Sequence, residues 1–255
     1  MKKIICLIFI ALLCSASAFA LSRREENVNT QISITVAAAA SLRNVFEQEI
    51  IPLFEQRHPE INVNVIYDSS GTLQTQISFG LQSDIFISSS PLQMNALLEN
   101  SHIINESVKP FVENRIVLIK TAEINSDVES FETITNADSI AIGNPSNVSA
   151  GEYAREIFTR LGIWEDVLAK TTFADNVREV LFWVSEGITE VGVVYVTDAF
   201  STNEVEIIEL YTQGIYAIYF IGILSQSSLQ TEAQTFIDFL FSDESLYIFR
   251  KYGFD

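Results

Sequence analysis

The chain has 255 residues, 48% hydrophobic and 19% charged, which suits one large domain or two lobes and is too apolar for an intrinsically disordered chain. Lys and Arg number 15 against 33 Asp and Glu, a formal net charge of −18. So acidic a surface cannot replace phosphate counterions, and this excludes DNA and RNA as partners.

Residues 1–20 read as a cleavable signal peptide. Lys2 and Lys3 precede the apolar run Ile4 to Leu13, and Ala18-Phe19-Ala20 supplies the small-x-small cleavage pattern. The run is too short for a transmembrane helix. Export to the periplasm is the expectation. Both cysteines, Cys6 and Cys14, fall in this segment, so the mature chain is expected to lack disulfide and thiolate chemistry. Lipid anchoring through Cys14 is the alternative; the large Leu13 before it counts against that outcome.

A polar tether, residues 21–30, leads into alternating strands and helices. Ile32 to Ala39 reads as a buried strand, and from Ser41 the apolar residues Leu42, Val45, Phe46, Ile50, Leu53 and Phe54 follow helical spacing. Pro52 should kink that helix. INVNVIY (Ile61 to Tyr67) alternates as a strand, SSGTLQTQI opens a second helix, DIFIS is a third strand, and Pro91 suits the first turn of the next helix. Further on, SIAIG, TTFA and VGVVYVT read as strands. Between them lie helices with Tyr153, Ala154, Ile157, Phe158 and Leu161, then Val177, Val180, Leu181 and Val184, on their inner faces. The rhythm predicts an α/β protein with helices on its sheets.

FVENRIVLIK (Phe111 to Lys120) and GIYAIYFIGIL (Gly214 to Leu224) are strand-like and read as crossings between two lobes. The tail returns to helix, with Ala233, Phe236, Ile237, Leu240 and Phe241 on one stripe. The first lobe is expected to comprise residues 31–112 plus 215–255, and an inserted second lobe residues 113–214. Ligand would sit between them, at the carboxyl ends of strands.

Nothing in the sequence assembles a catalytic acid, base and nucleophile. His58 sits at a helix end before Pro59 and His102 in a polar loop, neither with a metal-binding partner. No hydrolase, zinc-protease, P-loop or dinucleotide fingerprint occurs. The expectation is a binding protein, not an enzyme. What recurs is a helix N-terminus at a strand end: Ser41, Ser69-Ser70-Gly71-Thr72, Asn147 to Gly151, and Asp175-Asn176. Each such end presents unpaired N–H groups and a positive dipole, and several facing one cleft form an anion site without Lys or Arg.

AAAASL, DSSGTL and SDIFIS, followed by NPSNVSAGEYA, ADNVR, VGVVYVTDA and a terminal FRKYGF, resemble the periplasmic molybdate-binding proteins of ABC importers. The resemblance runs from about Ile32 to Phe254. It implies a two-lobed type II periplasmic-binding-protein fold, with mixed sheets flanked by helices and a cleft between lobes. It implies molybdate or tungstate as ligand, held by Ser41 and Ser70 through hydroxyl and N–H, by Ala150 and Val177 through N–H, and by the Tyr195 hydroxyl. Molybdenum would be bound as the oxyanion, with no direct metal ligand and no cofactor. The implied partner is a transmembrane ABC permease, and the protein itself would be a monomer. A site built wholly of donors suits a fully deprotonated dianion; sulfate is the alternative cargo, and an exported phosphate or ester enzyme the alternative class. Two departures bear on the ligand loops. Ser149 stands where the family usually has proline, and Gln82 and Ser83 where another often occurs.

Overall fold

Valine- and isoleucine-rich stretches alternate with amphipathic ones, and they fold as strands and helices close to the expected order. The computed structural model describes residues 31–123 and 125–255. The expected signal segment with Cys14, and most of the tether, lie outside them.

Strands β1 (Ile32–Ala39), β2 (Ile61–Asp68) and β3 (Ile85–Ser88) are parallel, β1 lying between the other two. Their connections carry α1 (40–57), α2 (Ser70–Ser78) and α3 (Pro91–Glu99). The long β4 (Lys109–Thr121) leads to β5 (Ile140–Gly143), α4 (Ser149–Arg160), α5 (Trp164–Leu168), β6 (Thr171–Ala174) and α6 (Val177–Ser185). After these come β7 (Val191–Tyr195), α7 (Val196–Ala199), β8 (Val205–Leu210), β9 (Tyr216–Ile223), α8 (Gln230–Leu240) and α9 (Asp243–Lys251).

The sheet order is β2-β1-β3-β9-β4-β7-β5-β6, with β8 also paired to β4. β5 runs parallel to β6 and β7, whereas β9 and β4 are antiparallel to their neighbours. The sheet is therefore mixed. β4 pairs with β9 over residues 109–115 and with β7 from Ile116 onward, so one strand passes from the first half of the sheet into the second. β9 returns beside β3, and the tail helices complete the first half. Residues Asp255 and Glu113 exchange backbone hydrogen bonds of 2.9 and 3.0 Å, tying the chain terminus to the strand that crosses.

β3, β5 and β7 are buried at every position, which is why they read as continuous apolar runs rather than alternations. In the first half, α1 and the tail helices interlock through edge-to-face contacts of Phe46 with Phe236 and Phe249, and of Phe54 with Phe236. Pro52 does not break α1. A π turn, Phe46–Ile50, widens the helix just before it, and Ile51 donates back to the Phe46 carbonyl. The wider turn takes up the missing proline N–H and the crowding of its ring. β8 is a strand that the alternation did not reveal, its VEIIEL sequence being one-third charged.

Candidate functional site

Each of the parallel strands β1, β2, β5 and β6 ends where a helix begins, and those ends converge. Ser41 follows β1, Ser70 follows β2, Ala150 lies in the first turn of α4 after β5, and Val177 opens α6 after β6. Tyr195 closes β7. All of them line a single cleft, together with Ala39, Ala40, Asp68, Ser69, Ser89, Val148 and Ser149. Even counting the part open to solvent, the space is ≈220 Å³. That is below the roughly 300–1,000 Å³ of pockets that take drug-sized molecules, so the cleft suits a small ion.

Local chemistry fixes each wall. Ser69 Oγ caps α2 by accepting from Thr72 N–H at 3.3 Å, which leaves Ser70 as the first helical residue. Ser70 Oγ accepts from Ser89 N–H (3.0 Å) and lies 3.1 Å from Ser89 Oγ. Asn176 caps α6, its Oδ1 accepting from the N–H groups of Arg178 (3.0 Å) and Glu179 (3.1 Å). α4 has no side-chain cap; its position is set by glycine instead, because a Cβ on Gly151 would stand 1.9 Å from the Gly143 carbonyl oxygen. Ser41 marks the helix start without capping it. It lies within the first, 3₁₀ turn of α1, whose N-cap is Ala39, and its hydroxyl is 2.6 Å from Tyr219 Oη.

Ser41, Ser70, Ala150 and Val177 lie in the first turns of their helices, where backbone N–H groups have no intrahelical acceptor. Among the described residues, Tyr195 Oη and Ser149 Oγ are buried and make no hydrogen bond of ordinary geometry, although the Ser89 side chain is near enough to the phenol to oppose its shift. Burial pushes the Tyr195 phenol well above its ordinary value, with Tyr219 and Tyr153 adding to the shift, so it is a neutral donor at physiological pH. Buried polar groups are rarely left unpaired, and several orphans around one small cleft mark the place where a ligand completes them. Among the described residues, no Lys or Arg lines the cleft. Arg178 instead spans outside it, donating to Asp198 Oδ1 (3.1 Å) and, from the other half of the sheet, Asn44 Oδ1 (2.6 Å).

Sequence reasoning missed two of the lining residues that matter. Ser89 directly follows β3, at a strand end like the others. Asp68 is a carboxylate in a cleft expected to hold donors only, although its Oδ1 is engaged by the Ser69 N–H at 2.7 Å.

Contacts between the halves surround the cleft. Gly71 N–H donates to the Asn147 carbonyl at 2.9 Å, Asn147 Nδ2 to Thr72 Oγ1 at 3.2 Å, and Tyr153 Oη to the Ser89 carbonyl at 3.2 Å. Glu152 accepts from Gln93 Nε2 (2.6 Å) and Ser90 Oγ (3.2 Å).

Residues 34–255 match the family described as bacterial extracellular solute-binding protein. A Bacillus subtilis protein, YvgL, named as a candidate ABC transporter substrate-binding lipoprotein, is 35% identical over 88% of this chain and 86% of its own. The molybdate-binding protein ModA of Haemophilus influenzae is 31% identical over 87% and 89%. The substrate-binding domain of a candidate molybdenum ABC transporter from Clostridium difficile superposes with a TM-score of 0.67 at 30% identity, covering 88% of this chain and 98% of that one. The Azotobacter vinelandii periplasmic molybdate-binding protein has a TM-score of 0.76 at 17% identity, covering 87% and 98%, a likeness of fold. The expected periplasmic-binding-protein fold is thus borne out.

Proposed function

The chain belongs to the bacterial extracellular solute-binding protein family, and from that premise we propose that it captures molybdate or tungstate in the cleft and delivers it to an ABC permease. The observation that carries this reading is the convergence of the first-turn N–H groups of Ser41, Ser70, Ala150 and Val177 and of the Tyr195 hydroxyl on one small space. A tetrahedral dianion accepts hydrogen bonds from all sides and gives none, so it pairs every one of them. The net charge of −18 opposes long-range capture. Affinity has to come from short charge-assisted hydrogen bonds inside a dry cleft, where they are strongest. The molybdate-binding names of the relatives support the same cargo.

The proposal includes two lobes, residues 31–112 with 215–255 and residues 113–214, that close on the anion about the crossings of β4 and β9. It also includes export by the amino-terminal segment, with Cys14 the anchor if the chain resembles its lipoprotein relative in this respect. A monomer suffices, since both walls of the cleft come from one chain.

Asp68 favours a second reading. Its carboxylate could accept the proton of hydrogen phosphate, which a wholly donor site would reject. Calorimetric titration with molybdate, tungstate, sulfate and hydrogen phosphate separates the two. One-to-one binding of the first two, with sulfate and phosphate much weaker, is the expected result, together with a raised melting temperature on binding. Sulfate binding as tight as molybdate overturns the cargo; tighter phosphate binding replaces it with the second reading.

A further inference from the structure

The Ser41 hydroxyl adds to its backbone N–H as a donor only if its proton points into the cleft, and the residues behind it decide that. Ser41 Oγ and Tyr219 Oη lie 2.6 Å apart, and either oxygen could donate. The direction is set from a group that can only donate. Arg115 N–H gives its proton to Asn114 Oδ1 at 3.0 Å, which fixes the orientation of a fully buried amide. The Asn114 Nδ2 group therefore faces the other way, donating to Thr197 Oγ1 at 2.8 Å and to Tyr219 Oη at 3.4 Å. Tyr219 is fully buried, and burial holds its phenol well above the ordinary value, so the oxygen keeps its proton. Among the described residues, Ser41 Oγ is the one oxygen able to accept that proton. A buried O–H without an acceptor is costly, so Tyr219 donates to Ser41. Ser41 then has one proton left and the cleft in front of it.

We propose that Asn114 and Tyr219 are positioning residues that polarise this chain of hydrogen bonds and lock the Ser41 hydroxyl as a donor to the bound oxyanion. The proposal rests on the anion-binding reading above and adds to it the reason a serine, which can donate or accept, behaves only as a donor here. Without the relay, Ser41 can turn its proton onto the tyrosine and present a lone pair to the anion, which repels it.

Neutron diffraction from deuterium-exchanged crystals of the protein reads the relay without any ligand. The expected result is deuterium on Tyr219 Oη directed at Ser41 Oγ, with the Ser41 deuterium directed away from Tyr219. Deuterium on Ser41 directed at Tyr219 overturns the proposal. In solution, Tyr219→Phe should weaken molybdate binding roughly three- to tenfold, the size of one neutral hydrogen bond. In a Ser41→Ala background the same substitution should change affinity hardly at all, a coupling that a merely structural tyrosine would not show. A Tyr219→Phe protein that folds and binds molybdate as tightly as the parent overturns the relay. A parent that binds no molybdate overturns the proposed function alone, since the neutron result still decides the relay.

Discussion

Replacing Gly71 by alanine should cut molybdate affinity sharply while leaving the unliganded protein nearly as stable as before. A Cβ at this position would stand 2.5 Å from the Asn147 carbonyl oxygen and 2.6 Å from its Cα. Both are backbone atoms, which cannot swing aside as a side-chain tip can. Gly71 is the second residue of α2, beside the first half of the sheet, and Asn147 precedes α4, beside the second, so the collision lies between the halves rather than inside either core. It would also lengthen the 2.9 Å bond from Gly71 N–H to Asn147. Overpacking of this kind costs roughly 1–3 kcal/mol, equivalent to about five- to a hundredfold in affinity. The expected phenotype is an open protein whose anion donors no longer converge. Titration with molybdate beside thermal unfolding of the apo protein checks it. Unchanged affinity would mean that the closed arrangement is not the binding form; a large fall in apo stability would place the contact within the folding core instead.

The second large effect is expected from Val177→Pro. Val177 is the first residue of α6, and Asn176 before it is extended at φ −156° and ψ 168°, the conformation that proline requires of its predecessor. Proline is also favoured at this helical position, where the N–H has no intrahelical partner. Its ring keeps the site apolar, so the change deletes one backbone donor and little else. Ala150 is less suitable for the same experiment. It is the second residue of α4, and proline there would disfavour the helical conformation of Ser149. Losing a hydrogen bond to a charged group costs roughly 1.5–3 kcal/mol, about ten- to a hundredfold in affinity. Val177→Ala keeps the N–H and should bind within a few-fold of the parent. A folded proline variant with parental affinity would remove Val177 from the ligand set.

Much of the architecture was legible because local patterns and packing agree. The buried runs in β3, β5 and β7 and the helical stripes of α4 and α6 announce themselves by period and composition. Small or polar residues at the strand ends announced the helix N-termini that now line the cleft. Other features depend on partners distant in the chain. β8 is strand because it lies against β4, not because VEIIEL has a clear pattern. The place of β9 between β3 and β4, which makes the sheet mixed, is a matter of topology that no window of sequence contains. Tyr219, 178 residues from Ser41, carries no local mark of its contact with it. Asp68 lies in the DSSGTL stretch, where nothing local marks its carboxylate as part of the cleft wall. Pro52 marked the irregularity in α1, but not its form, the π turn that precedes it.

The most direct test is diffraction at the molybdenum absorption edge from crystals grown with molybdate. The account predicts one strong anomalous peak in the cleft, with oxygens within hydrogen-bond distance of the N–H groups of Ser41, Ser70, Ala150 and Val177 and of Tyr195 Oη. A protein that takes up molybdate at another place, or a cleft that stays without an anomalous peak at saturating molybdate, would contradict it.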